Sequence, residues 1–367
     1  MIWLTWRQFR AQAITAAAAL AAFAILLATS ESHLSSLYDS SGLLTCHGGT
    51  CSGLASQFLD QLSSGGGGFL IPGSAYAILY FVSVLVILIA PAITGVFWGA
   101  PLIARELEAG TFRLTWNQSI TRTRWLTVKL VLIGAAAMAV TEAFSLIQAW
   151  WAAPIGKAVG LGGGSSIFSE TRFGVFVFPT HGITPLGYAA FGFALGVTAG
   201  LLIRRPIPAM ASTLAIFAAV QFITPLWIRP HLFPTSHTVN TIAAARANVS
   251  PSANPKLVLT TSLVPGHPGA WIISSEGVNA AGQPVRTIPA ACESAVSHTL
   301  GSHRGFTAGP GSTALNNCVA SHGIRIAESY QPASHYWPLQ WSETGTFLVL
   351  ALALAGYCFW RLNRRRS

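Results

Sequence analysis

Six long apolar runs limit what this chain can fold into. They extend from about Ala11 to Thr29, Ala75 to Trp98, Leu126 to Trp151, Pro185 to Ile203, Ala209 to Trp227 and Trp341 to Trp360. A helix needs about 20 apolar residues to cross a hydrocarbon layer roughly 30 Å thick, and each run has that length. Within such a layer the backbone must satisfy its own amides, so each run is expected to be a helix. Only 9% of the 367 residues are charged, against roughly 25% in soluble chains. The expected fold is an all-α polytopic membrane protein with six transmembrane helices and a small α+β extracellular domain between helices five and six.

Sidedness follows from the basic residues of the short connections, because cytoplasmic loops retain them. Arg7 and Arg10 precede the first run, and Arg105, Arg113, Arg122 and Arg124 separate the second from the third. Arg204 and Arg205 follow the fourth, and Arg361, Arg364, Arg365 and Arg366 follow the sixth. Both termini are therefore expected in the cytoplasm, in a multi-pass protein of the plasma membrane. Ten of the twelve tryptophans fall at or near run ends, where indole finds an apolar body and a wet N–H. A cleaved signal peptide is the alternative for the first run, but its apolar stretch is longer than such signals use. The +10 formal charge is mostly on the inner side and reads as topology, not nucleic-acid binding.

The expected order is a cytoplasmic amphipathic helix over residues 1–10, helices one to five over 11–228 with a cytoplasmic loop at 99–125, an extracellular domain over 229–338, and helix six with a basic tail over 339–367. In the extracellular part, "KLVLTTSLV" from Lys256 and "AWIISSEGVNAAGQPV" from Ala270 cluster β-formers around glycine turns and suggest a hairpin. "ACESAVSHTL" from Ala291 reads as a short helix. Four cysteines face outward and permit three pairings; Cys46 with Cys51 and Cys292 with Cys318 are favoured because each pair shares a loop, with free thiols as the alternative. The ten histidines all fall on the outer side or its edge, in spacings that match no zinc motif, and no metal site is expected.

The remaining charge is concentrated in "RELEAGTFRLTW", Arg105 to Trp116. Arginines alone would serve as topology anchors, but acids count little toward orientation, so Glu106 and Glu108 need another reason. A short helix presenting both signs suits docking onto a charged groove of a cytoplasmic partner.

This stretch resembles the loop after the second transmembrane helix in ABC-type exporter permeases of the type-2 class that includes the G-subfamily half transporters. "MIWLTWRQFRAQ" from Met1 is similar to the connecting helix at that family's start. "SYQPASHYWPLQWSETG", Ser329 to Gly345, resembles the entry to the last span in a group of actinobacterial permeases. The resemblance implies a permease subunit with a separate cytoplasmic ABC ATPase in two copies and a second permease chain, most simply a homodimer. It carries ATPase coupling onto Arg105, Glu106, Glu108, Gly110, Thr111 and Arg113. The chain lacks G-x-x-x-x-G-K-[ST], so it is not expected to be an enzyme; ATP and magnesium would be held by the partner.

Glu142 lies mid-run, where an ionisable group marks either a substrate or proton contact or a structural pair. Phe81, Phe97, Phe217, Gln221 and Phe222 surround Pro91 and Pro225 and are candidate substrate contacts if the path runs between helices two and five. Gly192, Gly196 and Gly200 form a small-residue ridge suited to close packing. The cargo expected of such a permease is hydrophobic or amphipathic: a drug, lipid or peptide. A membrane sensor that signals through the charged loop is the alternative. An enzyme is weaker still, since no GxSxG or HExxH appears.

Overall fold

Each apolar run is helical in the computed structural model, which describes residues 2–46, 51–64, 75–108, 121–163, 168, 171–245, 247–250, 257–261, 264–295 and 310–364. Among them, six helices are long and apolar enough to cross a membrane: Phe9–Ser40, Ala75–Glu106, Thr123–Trp151, Thr184–Ile203, Pro206–His231 and Ala333–Arg364. These are spans one to six. Several overrun the apolar runs because helix continues into polar sequence. The first helix is unbroken from Ile2 to Ser40, so residues 2–10, expected as a separate element, are continuous with span one. Its 39 residues extend about 58 Å, well beyond a bilayer core.

Span four is the axis of the bundle. Its apolar window is 78% buried, against 11–44% in the other five. The cause is the glycine ridge. A Cβ on Gly192, Gly196 or Gly200 would lie 2.8, 2.1 or 2.3 Å from the carbonyl oxygens of Pro91, Gly95 and Ala100 in span two. The two backbones touch without intervening side chains, which only glycine permits.

Prolines shape the neighbouring helices. Pro91 lies inside the helix Ala75–Ile93, which passes into a π-helical turn over Thr94–Gly99 before resuming as Ala100–Glu108. Span five widens likewise over Thr224–Ile228, with Pro225 at its start. Each proline leaves the carbonyl four residues before it, Ile87 or Gln221, without its helical amide donor, and each widened turn begins within three residues of the proline.

At one end of the bundle, the helix Cys51–Ser63 packs Phe58, Leu59 and Leu62 against Leu34, Trp151 and Ile155. The Cys46–Cys51 disulfide closes the loop that enters it. The strand-containing region follows span five. Strands β1 (Ser236–Thr241), β5 (Arg325–Gln331) and β4 (Trp271–Val278) form an antiparallel sheet in that order, and β2 (Asn248–Ser250) pairs with β3 (Val258–Thr260). The two runs supply strands to different sheets, and the run from Ala270 turns back on itself around Gly282, where the Val285 amide donates to the Gly277 carbonyl at 2.7 Å. Their partners, β2 and β5, lie in segments that carry weaker β signals, and β5 sits in the approach to span six. Cys292–Cys318 staples the helix Pro310–Ser321 to the strand core of Val249, Leu259 and Ile326. The helix expected at Ala291 begins as a 3-10 turn, Ala290–Cys292, and residues 296–300 lie outside the described residues.

Candidate functional site

The charged stretch begins as the last turns of span two. In the helix Ala100–Glu108, Arg105 and Glu108 are exposed while Glu106 turns inward. One Glu106 oxygen is hydrogen-bonded and ion-paired to Lys129 Nζ of span three. The Lys129 ammonium also lies 4.7 Å from the Trp125 ring centroid, and its side chain is only 4% exposed. A cation this deep is held by its partner and the aromatic face together. Thr121 caps the start of span three by accepting from the Arg124 amide at 3.3 Å. The loop is thus tied at both flanks. Gly110, Thr111 and Arg113 lie outside the described residues. Of the two acids expected to face a partner, Glu108 is exposed, while Glu106 is paired to Lys129 of span three.

The interior candidates do not converge. Phe81, Phe97 and Phe222 are 60%, 54% and 61% exposed on the outer surface of the bundle, whereas Phe217 is buried against Tyr188 and Phe191. Gln221 has a buried oxygen without a hydrogen-bond partner. Glu142 is half-buried in span three, and one of its oxygens is also unpartnered.

A polar cluster that sequence reading missed lies where the strand region meets the bundle. Arg229 Nε and Nη2 donate to Glu343 of span six at 2.9 and 3.1 Å, and Tyr188 of span four donates to the same carboxylate at 2.8 Å. The guanidinium stacks 4.1 Å from the Phe178 ring centroid. One turn away, Gln340 accepts from the Ile183 and Thr184 amides and donates to the Phe178 and His181 carbonyls. The available signal was two opposite charges, one just after the fifth run and one at the start of the sixth, at the same end of the molecule. Burial also pushes the nearby His181 imidazole below its ordinary pKa, only partly offset by its bond to the Val177 carbonyl.

A family model described as ABC-2 membrane transporter related matches residues 17–229, more than half of the chain. The chain belongs to that family. ABC-2 membrane proteins are transporter permeases, and an ABC transporter works with an ATPase partner. No curated protein and no solved structure matches the chain. The ABC-2 match includes both flanks of the charged loop, Glu106 and Lys129 among them, and reaches Arg229. The strand region and Glu343 lie beyond it.

Proposed function

We propose that this chain is the transmembrane permease subunit of an ATP-driven exporter that moves a hydrophobic or amphipathic cargo across the plasma membrane. Two such chains act with two copies of a cytoplasmic ATPase, which holds ATP and magnesium. Both termini and the 99–125 loop face that ATPase, and the 229–338 region lies outside the cell. The observation that carries this reading is the helix Ala100–Glu108 in a member of the ABC-2 family: it continues span two beyond its apolar part and ends in exposed Arg105 and Glu108. A push at this end travels along span two and, through Glu106 and Lys129, into span three. Arg105, Glu108, Gly110, Thr111 and Arg113 supply the docking surface, while Glu106 holds it in register.

Purification of the tagged chain from its native membrane in mild detergent tests this. The expected result is an ATPase that co-purifies in equal amount and is lost on Glu108→Arg substitution. A chain that comes down alone, without ATP hydrolysis, overturns the proposal.

A further inference from the structure

A cleft of about 260 Å³ opens between the start of span one, the end of span two and the base of span three. Phe9, Trp98 and Ile133 form its apolar walls, and Gln12, Arg105 and Glu106 its polar positions. The walls are fixed: the Phe9 and Trp98 rings meet edge to face at 4.8 Å, and the Gln12 amide is committed to the Phe97 carbonyl at 3.3 Å.

Two polar groups at the cleft are not committed. Glu106 gives one oxygen to Lys129, and its other oxygen is buried with no hydrogen-bond partner. Arg105 is exposed and has no ion pair among the described residues. A buried carboxylate oxygen calls for an N–H donor, and aromatic walls favour a cation beside them. A free guanidinium calls for an oxyanion, best a phosphate. Arg105 and Glu106 both line the cleft, so a ligand lying in it can meet both when it carries an oxyanion and an N–H donor.

That requirement separates the common lipid headgroups. A primary ammonium two carbons from a phosphate supplies the N–H donor and the oxyanion together. A trimethylammonium has no N–H for Glu106, and a glycerol headgroup brings no cation. Exposed Trp3 and Trp6, with the buried Trp98 and Trp125, place this end of the bundle at a membrane–water boundary, where such headgroups lie. We infer that the cleft binds the headgroup of an ethanolamine phospholipid, its phosphate on Arg105 and its ammonium on Glu106 beside Phe9 and Trp98. This assignment does not rest on the transport reading, since binding needs neither ATPase nor cargo.

The test is native mass spectrometry of the detergent-purified full chain, titrated with ethanolamine, choline and glycerol phospholipids of matched acyl chains and with soluble phosphoethanolamine. One ethanolamine lipid should bind about tenfold more tightly than the other two lipids, the discrimination expected of one charged hydrogen bond. Glu106→Gln should remove that preference, and Arg105→Gln should weaken the binding of all three lipids alike. Leu102→Trp, which fills the cleft while leaving both charges in place, should abolish binding in a protein that melts at the wild-type temperature. Equal binding of the three lipids, preference for the glycerol lipid, or full binding by the Leu102→Trp variant overturns the assignment. Soluble phosphoethanolamine binding as tightly as the lipid overturns the membrane source.

Discussion

Arg229 and Glu343, 114 residues apart, meet in a two-pronged ion pair from which solvent is excluded, their side chains 0% and 2% exposed. The entire strand-containing region lies between them in sequence. A second clasp, Gln331 Nε2 to the Phe233 carbonyl at 2.8 Å, closes the same two roots further out. The region therefore stands on two chain segments held side by side.

Removing one partner of this pair leaves an uncompensated buried charge. Arg229→Met alone, or Glu343→Leu alone, should destabilise the folded chain by about 3–5 kcal/mol, and the double variant by clearly less than either. Thermal unfolding in detergent of the three variants reads this directly. Additive losses would show that the two charges do not interact.

Glu106 and Lys129 make a different kind of claim, about coupling. If the pair acts within the chain, Glu106→Lys and Lys129→Glu should each cut cargo-stimulated ATP hydrolysis by roughly tenfold or more, and the charge-swapped double variant should recover most of it. Glu108→Lys should gain nothing from any change at Lys129, because Glu108 faces outward. Failure of the swap would return Glu106 to the docking surface.

Backbone contact between spans two and four predicts a sharp contrast among glycines. Gly196→Ala would place a methyl 2.1 Å from the Gly95 oxygen and should cost about 1–3 kcal/mol by overpacking. Gly156→Ala meets nothing within 4 Å and should be neutral or stabilising by about 0.5–1 kcal/mol through helix propensity. Melting temperatures of the two variants in one detergent decide it.

His181 adds a pH dependence. Burial favours its neutral form in the folded state, so the unfolded chain, whose imidazole titrates near 6.5, binds the more protons below that pH. The stability this supplies is present above about pH 6.5 and is lost as pH falls toward the depressed folded value. The melting temperature should drop between about pH 7 and pH 5.5, and less steeply in His181→Asn.

The spans were legible because length and apolarity suffice to define them, whatever their neighbours. The same holds for the cysteine pairs, since each lies within one loop. Two kinds of feature were not legible. Short caps such as Cys51–Ser63 owe their helicity to packing on Leu34 and Trp151, contacts made across 17 residues or more that no local pattern announces. The direction of a charge is equally non-local: Glu106 turns inward because Lys129, 23 residues on, is there to meet it. Strand β5 was overlooked because its last three residues, Ser329 to Gln331, open the stretch that was read as the entry to span six.

The glycine ridge also bears on how the bundle can move. Side chains allow helices to slide past one another by exchanging rotamers, but where carbonyl meets glycine there is nothing to exchange. Spans two and four consequently travel as one slab. Span six joins that slab at Gly187, where a Cβ would lie 3.0 Å from the Thr344 Cα, so slippage within the bundle is left to the side-chain seams with spans three and five.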